Sequence, residues 1–284
     1  MLLRRIHLID EHFIASGNQV VYNLCLPCLL FFATVDSPLA RSLDTELVLF
    51  GILASFATVI GLSLIANRLV TAEKRGVFIQ GAFRGNMGIV GIAFSVNAYG
   101  SGILAKASIY LALLTIVYNG LSVWALRNKN QPFVPYFLKN PLIVAVALGV
   151  AVSQSGLRIP TLVHNTGSSL SALTLPLALL CIGGSLRWAS FRANHQCVIW
   201  ASIFKLVIVP ALTTWAAMAW GFRGQNLGLL FIMMSAPTAA ASYVMAKQMT
   251  SQGAIAAEII AFTTGACAIT VTFGLAALKS GNYI

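Results

Sequence analysis

Apolar stretches of about twenty residues, the length one helix needs to cross a bilayer, recur from Ile14 almost to the C-terminus. Short loops holding most of the Lys and Arg separate them. The pattern predicts nine helices, at 14–34, 46–66, 76–96, 103–126, 141–153, 168–186, 198–220, 227–249 and 254–278. The fifth has an alternative start at Phe137, the third is rich in glycine, and the eighth is interrupted at Pro237. These blocks leave no room for a sizeable soluble domain, so the expectation is an all-α integral membrane protein with a single transporter domain over 1–284.

Composition agrees. Hydrophobic residues make up 58% of the 284 residues and charged ones 9%, with a mean hydropathy of +0.85. A soluble domain carries far more charge. The formal net charge of +11 would suggest nucleic acid in a soluble protein. Here the cations sit in loops, where membrane topology places them, and no nucleic-acid partner is expected. Alternating helices put Arg4, Arg5, Arg68, Lys74, Arg75, Arg127, Lys129, Lys139, Arg187, Arg192 and Lys247 on one side. The other side holds Arg41, Lys106, Arg158, Arg223 and Lys279. The richer side reads as cytoplasmic, placing the segment before Ile14 inside, the C-terminus outside, and the protein in the cell (inner) membrane. No cleavable signal peptide is evident at the start of the chain.

The chain also repeats itself. Leu26-Pro27 has a partner in Leu175-Pro176, and Gly102-Ile103-Leu104-Ala105 one in Gly253-Ala254-Ile255-Ala256. The second helix pairs with the seventh, and the third with the eighth. A first repeat over 1–126 shows four helices, and a second over 137–278 shows five. Five is odd, so two such repeats run through the membrane in opposite directions. This reading expects a ten-helix plan whose first helix is largely missing, with its tail near 2–9. The alternative is a native nine-helix protein.

Two segments break the helical pattern at matching places, Phe83 to Gly91 and Ser235 to Tyr243. Glycine weakens a helix interior, and proline removes a donor and clashes with the preceding turn. Paired breaks at membrane depth point to a transporter binding site, where half-helix N-termini suit an anion. Packing glycines and an ordinary kink are the plainer explanation. Arg84 and Lys205 lie within spans, each either contacting substrate or snorkelling to the edge. Glu258 is the one acidic residue well inside a span. It is read as a proton or ion-coupling group, or as an edge carboxylate in a salt bridge.

Cys25-Leu26-Pro27-Cys28 has redox or zinc spacing but lacks a second ligand pair and a soluble setting. Gly85, Gly88 and Gly91 form no dinucleotide fingerprint, because no strand precedes them. The four histidines fall in loops or termini. No metal, cofactor or enzymatic activity is expected. An intramembrane protease would need paired aspartates or a Ser–His pair at membrane depth.

On these residues the chain resembles the auxin efflux carrier family, which includes plant carriers and many bacterial permeases. The matching stretches are Leu26-Pro27, Phe83-Arg84-Gly85-Asn86-Met87-Gly88, Asn140-Pro141-Leu142-Ile143, Leu175 through Leu186, Lys205-Leu206 with Pro210, and Ala236-Pro237-Thr238 through Ala246. They span almost the whole chain. The resemblance implies inverted five-helix repeats with crossed broken helices, like those of sodium–proton antiporters and bile-acid symporters. It implies alternating-access transport of small organic anions such as auxin, malonate or malate, with Asn86 as the crossover asparagine and Pro237 as the crossover proline. The long cytoplasmic loop of the plant members has no counterpart, and neither does their acidic and basic pair between Leu47 and Ala66.

The expected substrate-binding set is Asn86, Arg84, Gly85, Gly88, Pro237, Thr238, Ser242, Tyr243, Lys205 and Pro27, with Glu258 for coupling. The expected partners are a small organic anion (mono- or dicarboxylate), a proton or sodium ion for coupling, and the lipid bilayer. The oligomeric state is open, a homodimer included. A non-transporting membrane sensor, or a decayed and truncated transporter relative, is the alternative function.

Overall fold

The structure, a computed structural model, describes residues 9–35, 44–127, 139, 141–157, 159–185 and 188–284. Arg4, Arg5, Arg41, Lys129, Arg158, Arg187, Asn140 and residues 2–8 lie outside the described residues.

Over the described residues the nine apolar blocks are helical, apart from breaks in the third and eighth. The first is α1 (Glu11–Val20), a π-helical turn (Val21–Cys25) and α2 (Leu26–Val35). Next come α3 (Thr45–Leu69), α4 (Arg75–Phe83), a second π turn (Met87–Gly91) running into α5 (Ile92–Tyr99), and α6 (Leu104–Leu126). The second half has α7 (Pro141–Ser155), α8 (Thr161–Ser185), and α9 (Trp188–Ile203) joined by a third π turn (Phe204–Ile208) to α10 (Val209–Trp220). It ends with α11 (Gly224–Ser235), α12 (Ala240–Met249) and α13 (Gly253–Ser280).

Proline explains two of the wide turns. Pro27 and Pro210 follow directly on π turns closed by Leu26 N–H to Val21 O and Val209 N–H to Phe204 O. Proline offers no N–H for the regular ladder, and a wide turn re-spaces the backbone around the gap. Two helices start earlier than hydropathy predicts, α8 at Thr161 rather than 168 and α9 at Trp188 rather than 198. Their first turns carry His164, Asn165 and Ser168, and Arg192, Asn194 and His195. These polar turns extend past the apolar block, because a helix satisfies its own backbone on either side of the membrane edge.

Among the described residues five helices are each long and apolar enough to cross a membrane: Glu11–Phe32, Thr45–Leu69, Lys106–Leu126, Arg192–Trp220 and Gly253–Ser280. Their outer faces are bare hydrocarbon, with Leu64 and Phe273 each 73% exposed and Trp215 67%. In water such a belt would drive aggregation; in a bilayer it faces lipid. The charged loops separate to opposite ends. Asp44, which caps α3, binds Lys106 and Asn226 at one rim. Asn67, Arg75, Arg127 and Thr250 meet at the other.

The helices form two packed groups. In one, α2 lies against α7 and α8, and α8 also covers α1. In the other, α3, α6, α9, α10 and α13 surround the two broken helices, α4–α5 and α11–α12. The groups touch chiefly where α12 packs on α8 and α1.

Candidate functional site

Both breaks are real, and they cross. The ladder of α4 ends at Arg84 N–H to Gln80 O, after which Arg84, Gly85 and Asn86 run extended. α11 ends at Ser235, and Ala236 through Ala239 run extended before α12 begins. Pro237 forces the second break, since it has no N–H and cannot continue the helix. The two extended pieces lie antiparallel, with Gly85 opposite Thr238. Asn86 N–H donates to Pro237 O at 2.6 Å, and Ala239 N–H donates to Arg84 O at 3.0 Å.

Gly85 permits this approach. A β-carbon there would stand 3.0 Å from Lys205 Nζ and 3.2 Å from Ala236 O. Thr238 ties the crossing to its neighbours. Its hydroxyl donates to Gly81 O at 2.7 Å, and its N–H donates to Thr263 Oγ1 on α13 at 3.1 Å. The break has carried Gly85 out of the helix, so the Thr238 hydroxyl serves the Gly81 carbonyl in place of the next turn.

The crossing sorts the four half-helix ends by sign. The C-terminal ends of α4 and α11, partially negative, meet Lys205. This side chain is fully buried, and its ammonium donates to Met234 O at 2.8 Å and Phe83 O at 3.4 Å. It sits in the third π turn. The N-terminal ends, at Asn86 and Ala239, open together onto a cavity of about 520 Å³. Its mainly apolar walls come from both helix groups: Leu26, Leu30 and Thr34 of α2, Ser171 and Thr174 of α8, and Thr115 and Tyr118 of α6.

Among the described residues, the polar groups left uncommitted on this wall include Asn86 and Thr174. Asn86 stands at the N-cap position, yet its carboxamide caps nothing. Thr174 Oγ1 is buried without a hydrogen-bond partner. Thr34 and Ser171 on the same wall donate to their own helices, at Leu30 O and Gly167 O, and Tyr118 OH donates to Met234 Sδ.

Of the ten residues expected to bind substrate, Arg84, Gly85, Asn86 and Gly88 line this cavity. The Arg84 guanidinium does not snorkel. It is held inside by Ser122 Oγ at 2.7 Å, Asn119 Oδ1 at 2.8 Å, Met245 Sδ at 3.2 Å and Tyr118 O at 3.4 Å, all neutral. Lys205 also has only neutral partners. Lys205, Pro237, Thr238, Ser242 and Tyr243 are outside the cavity wall. Ser242 Oγ is buried without a hydrogen-bond partner, and Tyr243 OH accepts from Asn18 Nδ2 of α1 at 3.1 Å. Pro27 faces a different, apolar hollow of about 600 Å³ with Phe31, Phe32 and Leu148. Glu258 is buried near the start of α13, also outside the wall.

Thr174, Thr115, Ser171 and Tyr118 escaped the sequence reading. The available signal was a polar residue within an apolar helix, and for Thr174 its place immediately before Leu175-Pro176.

A many-helix membrane bundle whose two broken helices cross beside an internal cavity has the build of a membrane transporter. Comparison with known proteins agrees. Residues 136–275 match the family model described as membrane transport protein. An uncharacterized transporter of Methanocaldococcus jannaschii is 23% identical over 290 residues, covering 97% of this chain and 90% of that protein. An uncharacterized transporter of Methanothermobacter thermautotrophicus is 23% identical over 251 residues, covering 86% of this chain and 82% of that protein. The chain is a multi-pass membrane transporter.

Proposed function

We propose that the protein moves a small organic anion, a mono- or dicarboxylate, by alternating access. The observation that carries this reading is the convergence of two half-helix N-termini, with the uncommitted Asn86 carboxamide, on one cavity of about 520 Å³. Helix N-termini attract anions through their exposed N–H groups and partial positive charge. Arg84, buried beside the crossing with only neutral partners, adds positive charge next to the cavity. An arriving carboxylate offsets that charge in a low-dielectric setting. A cavity of this size holds a small ligand, and its apolar walls suit the carbon skeleton.

In this reading Asn86, Thr174 and the backbone of Met87 and Gly88 hold the ligand, while Thr238 and Lys205 hold the crossing. The cavity lies between two helix groups, so sliding or rocking one against the other exposes it to alternate sides. Glu258 is the candidate coupling group, with a proton or sodium ion. The inner membrane, with the Arg- and Lys-rich rim cytoplasmic, follows from the distribution of loop charge.

The test is uptake of labelled dicarboxylates by liposomes containing the purified protein. Asn86→Ala is expected to cut uptake at least tenfold, since a hydrogen bond to a charged group contributes about 1.5–3 kcal/mol and about 1.4 kcal/mol is tenfold. Wild-type uptake in that variant removes Asn86 from the site. Absence of uptake across mono- and dicarboxylates refutes the substrate class.

A further inference from the structure

A second concave site lies far from the crossing. At the rim where α3 ends and α4 and α9 begin, a pocket of about 480 Å³ is lined by Asn67, Arg68, Lys74, Arg75, His195 and Gln196. The fold brings three segments together here: the last turn of α3 supplies Arg68, the 3₁₀ turn Ala72–Lys74 running into α4 supplies Lys74 and Arg75, and the first part of α9 supplies His195.

Among the described residues no carboxylate lines it. Glu73 faces the neighbouring hollow that also contains Arg75 and Arg127. Glu258, buried on α13, stands near Cys197 but is not part of the wall. Arg75 Nε is buried without a hydrogen-bond partner. His195 Nδ1–H donates to Arg192 O at 2.9 Å, which leaves Nε2 for another partner. Three cations in one concavity repel one another, and a multiply accepting anion relieves that repulsion while satisfying their N–H groups.

The apolar surface below this pocket narrows the choice of anion. Ile60, Leu64 and Arg68 are spaced four apart on α3 and so share one face. Leu64 is 73% and Ile60 59% exposed. On α9, Gln196, Ile199 and Ile203 likewise share a face, and both isoleucines are exposed. Bare hydrocarbon therefore runs toward the membrane interior directly beneath the basic pocket, on both helices that form it. A basic pocket over lipid-facing ridges matches an amphiphile with an anionic head.

We propose that this rim is a binding site for an anionic phospholipid. The headgroup phosphate sits among Arg68, Lys74, Arg75 and His195, and the acyl chains lie along the Ile60–Leu64 and Ile199–Ile203 ridges. The site is independent of the ligand carried at the crossing.

The test is thermal stabilisation of the purified full chain in neutral detergent by short-chain phosphatidylglycerol. Short-chain phosphatidylcholine and inorganic phosphate run in parallel. Phosphatidylglycerol is expected to stabilise at lower concentration than either. In Arg68→Gln with Lys74→Gln its half-saturating concentration is expected to rise roughly five-fold per charge removed. His195→Glu, an exposed change on another helix, is expected to raise it too, and Arg223→Gln at the opposite rim to leave it unchanged. Equal stabilisation by phosphatidylcholine, or wild-type half-saturation in both pocket variants, overturns the proposal. So does equal stabilisation by inorganic phosphate, which marks a free-anion site.

Discussion

Replacing Thr238 by valine tests whether the crossing is held by hydrogen bonds or merely by packing. The change preserves shape and removes one hydroxyl, which donates at 2.7 Å to Gly81 O in a region closed to water. An interhelical hydrogen bond in a membrane protein is worth only about 0.6 kcal/mol on average, with a ceiling near 1.7. The average is low because freed groups usually find another partner. Gly81 O has little prospect of one, since the chain leaves the helix at Arg84 and the ladder cannot be extended without undoing the crossing. A buried carbonyl left dry costs about 1–3 kcal/mol.

The structure therefore places Thr238→Val near the upper end, at about 1.5–2 kcal/mol. At roughly 2–4 °C per kcal/mol for large domains, the melting temperature should fall by about 3–8 °C. Thr238→Ser keeps the donor and loses one methyl, about 0.8 kcal/mol, so it should melt higher than the valine variant. Intrinsic tryptophan fluorescence during heating in detergent gives both values. A valine variant melting within about 1 °C of wild type, or below it by no more than the serine variant, refutes the argument.

Gly85→Ala should destabilise by about 1–3 kcal/mol through overpacking. Its new methyl would press on Lys205 Nζ and Ala236 O, and the same melting assay reads the loss. Asp44 provides a pH test. Burial raises its carboxyl pKa, but hydrogen bonds from Leu47 N–H, Lys106 and Asn226, with the charge of Lys106, outweigh burial and hold it below the usual carboxylate range. A depressed carboxylate stabilises the fold above its unfolded pKa, near 3.9, and that stabilisation is lost as pH falls through the folded value. The melting difference between wild type and Asp44→Asn should thus stay constant from about pH 8 to 5 and shrink below about pH 4. A difference that grows on acidification contradicts the sign.

The spans were legible because a bilayer leaves few alternatives: a crossing segment must be apolar and must satisfy its own backbone. The breaks were legible for a related reason. Asn86 amid glycines, and Pro237 inside an apolar run, violate helical preference at depths where the violation needs a use. Residues whose partners lie far along the chain were not legible. Lys205 reads equally as a substrate contact or a snorkelling edge residue. Only folding brings it against Phe83 O, 122 residues away, and the negative ends of two helices. Arg84 likewise finds Asn119 and Ser122 only once α6 is packed. Thr174 carries no motif at all; its place on the cavity wall depends on the packing of α8.

The smallest element in the molecule constrains its motion most. Two main-chain bonds stitch 84–86 to 237–239, and each half has its polypeptide stretched at that point. Neither broken helix can slide along its axis without tearing its counterpart's seam. In the proposed cycle, a ligand on those N-termini therefore keeps the same floor throughout, and the opposing wall, contributed by α2 and α8, changes its height against it.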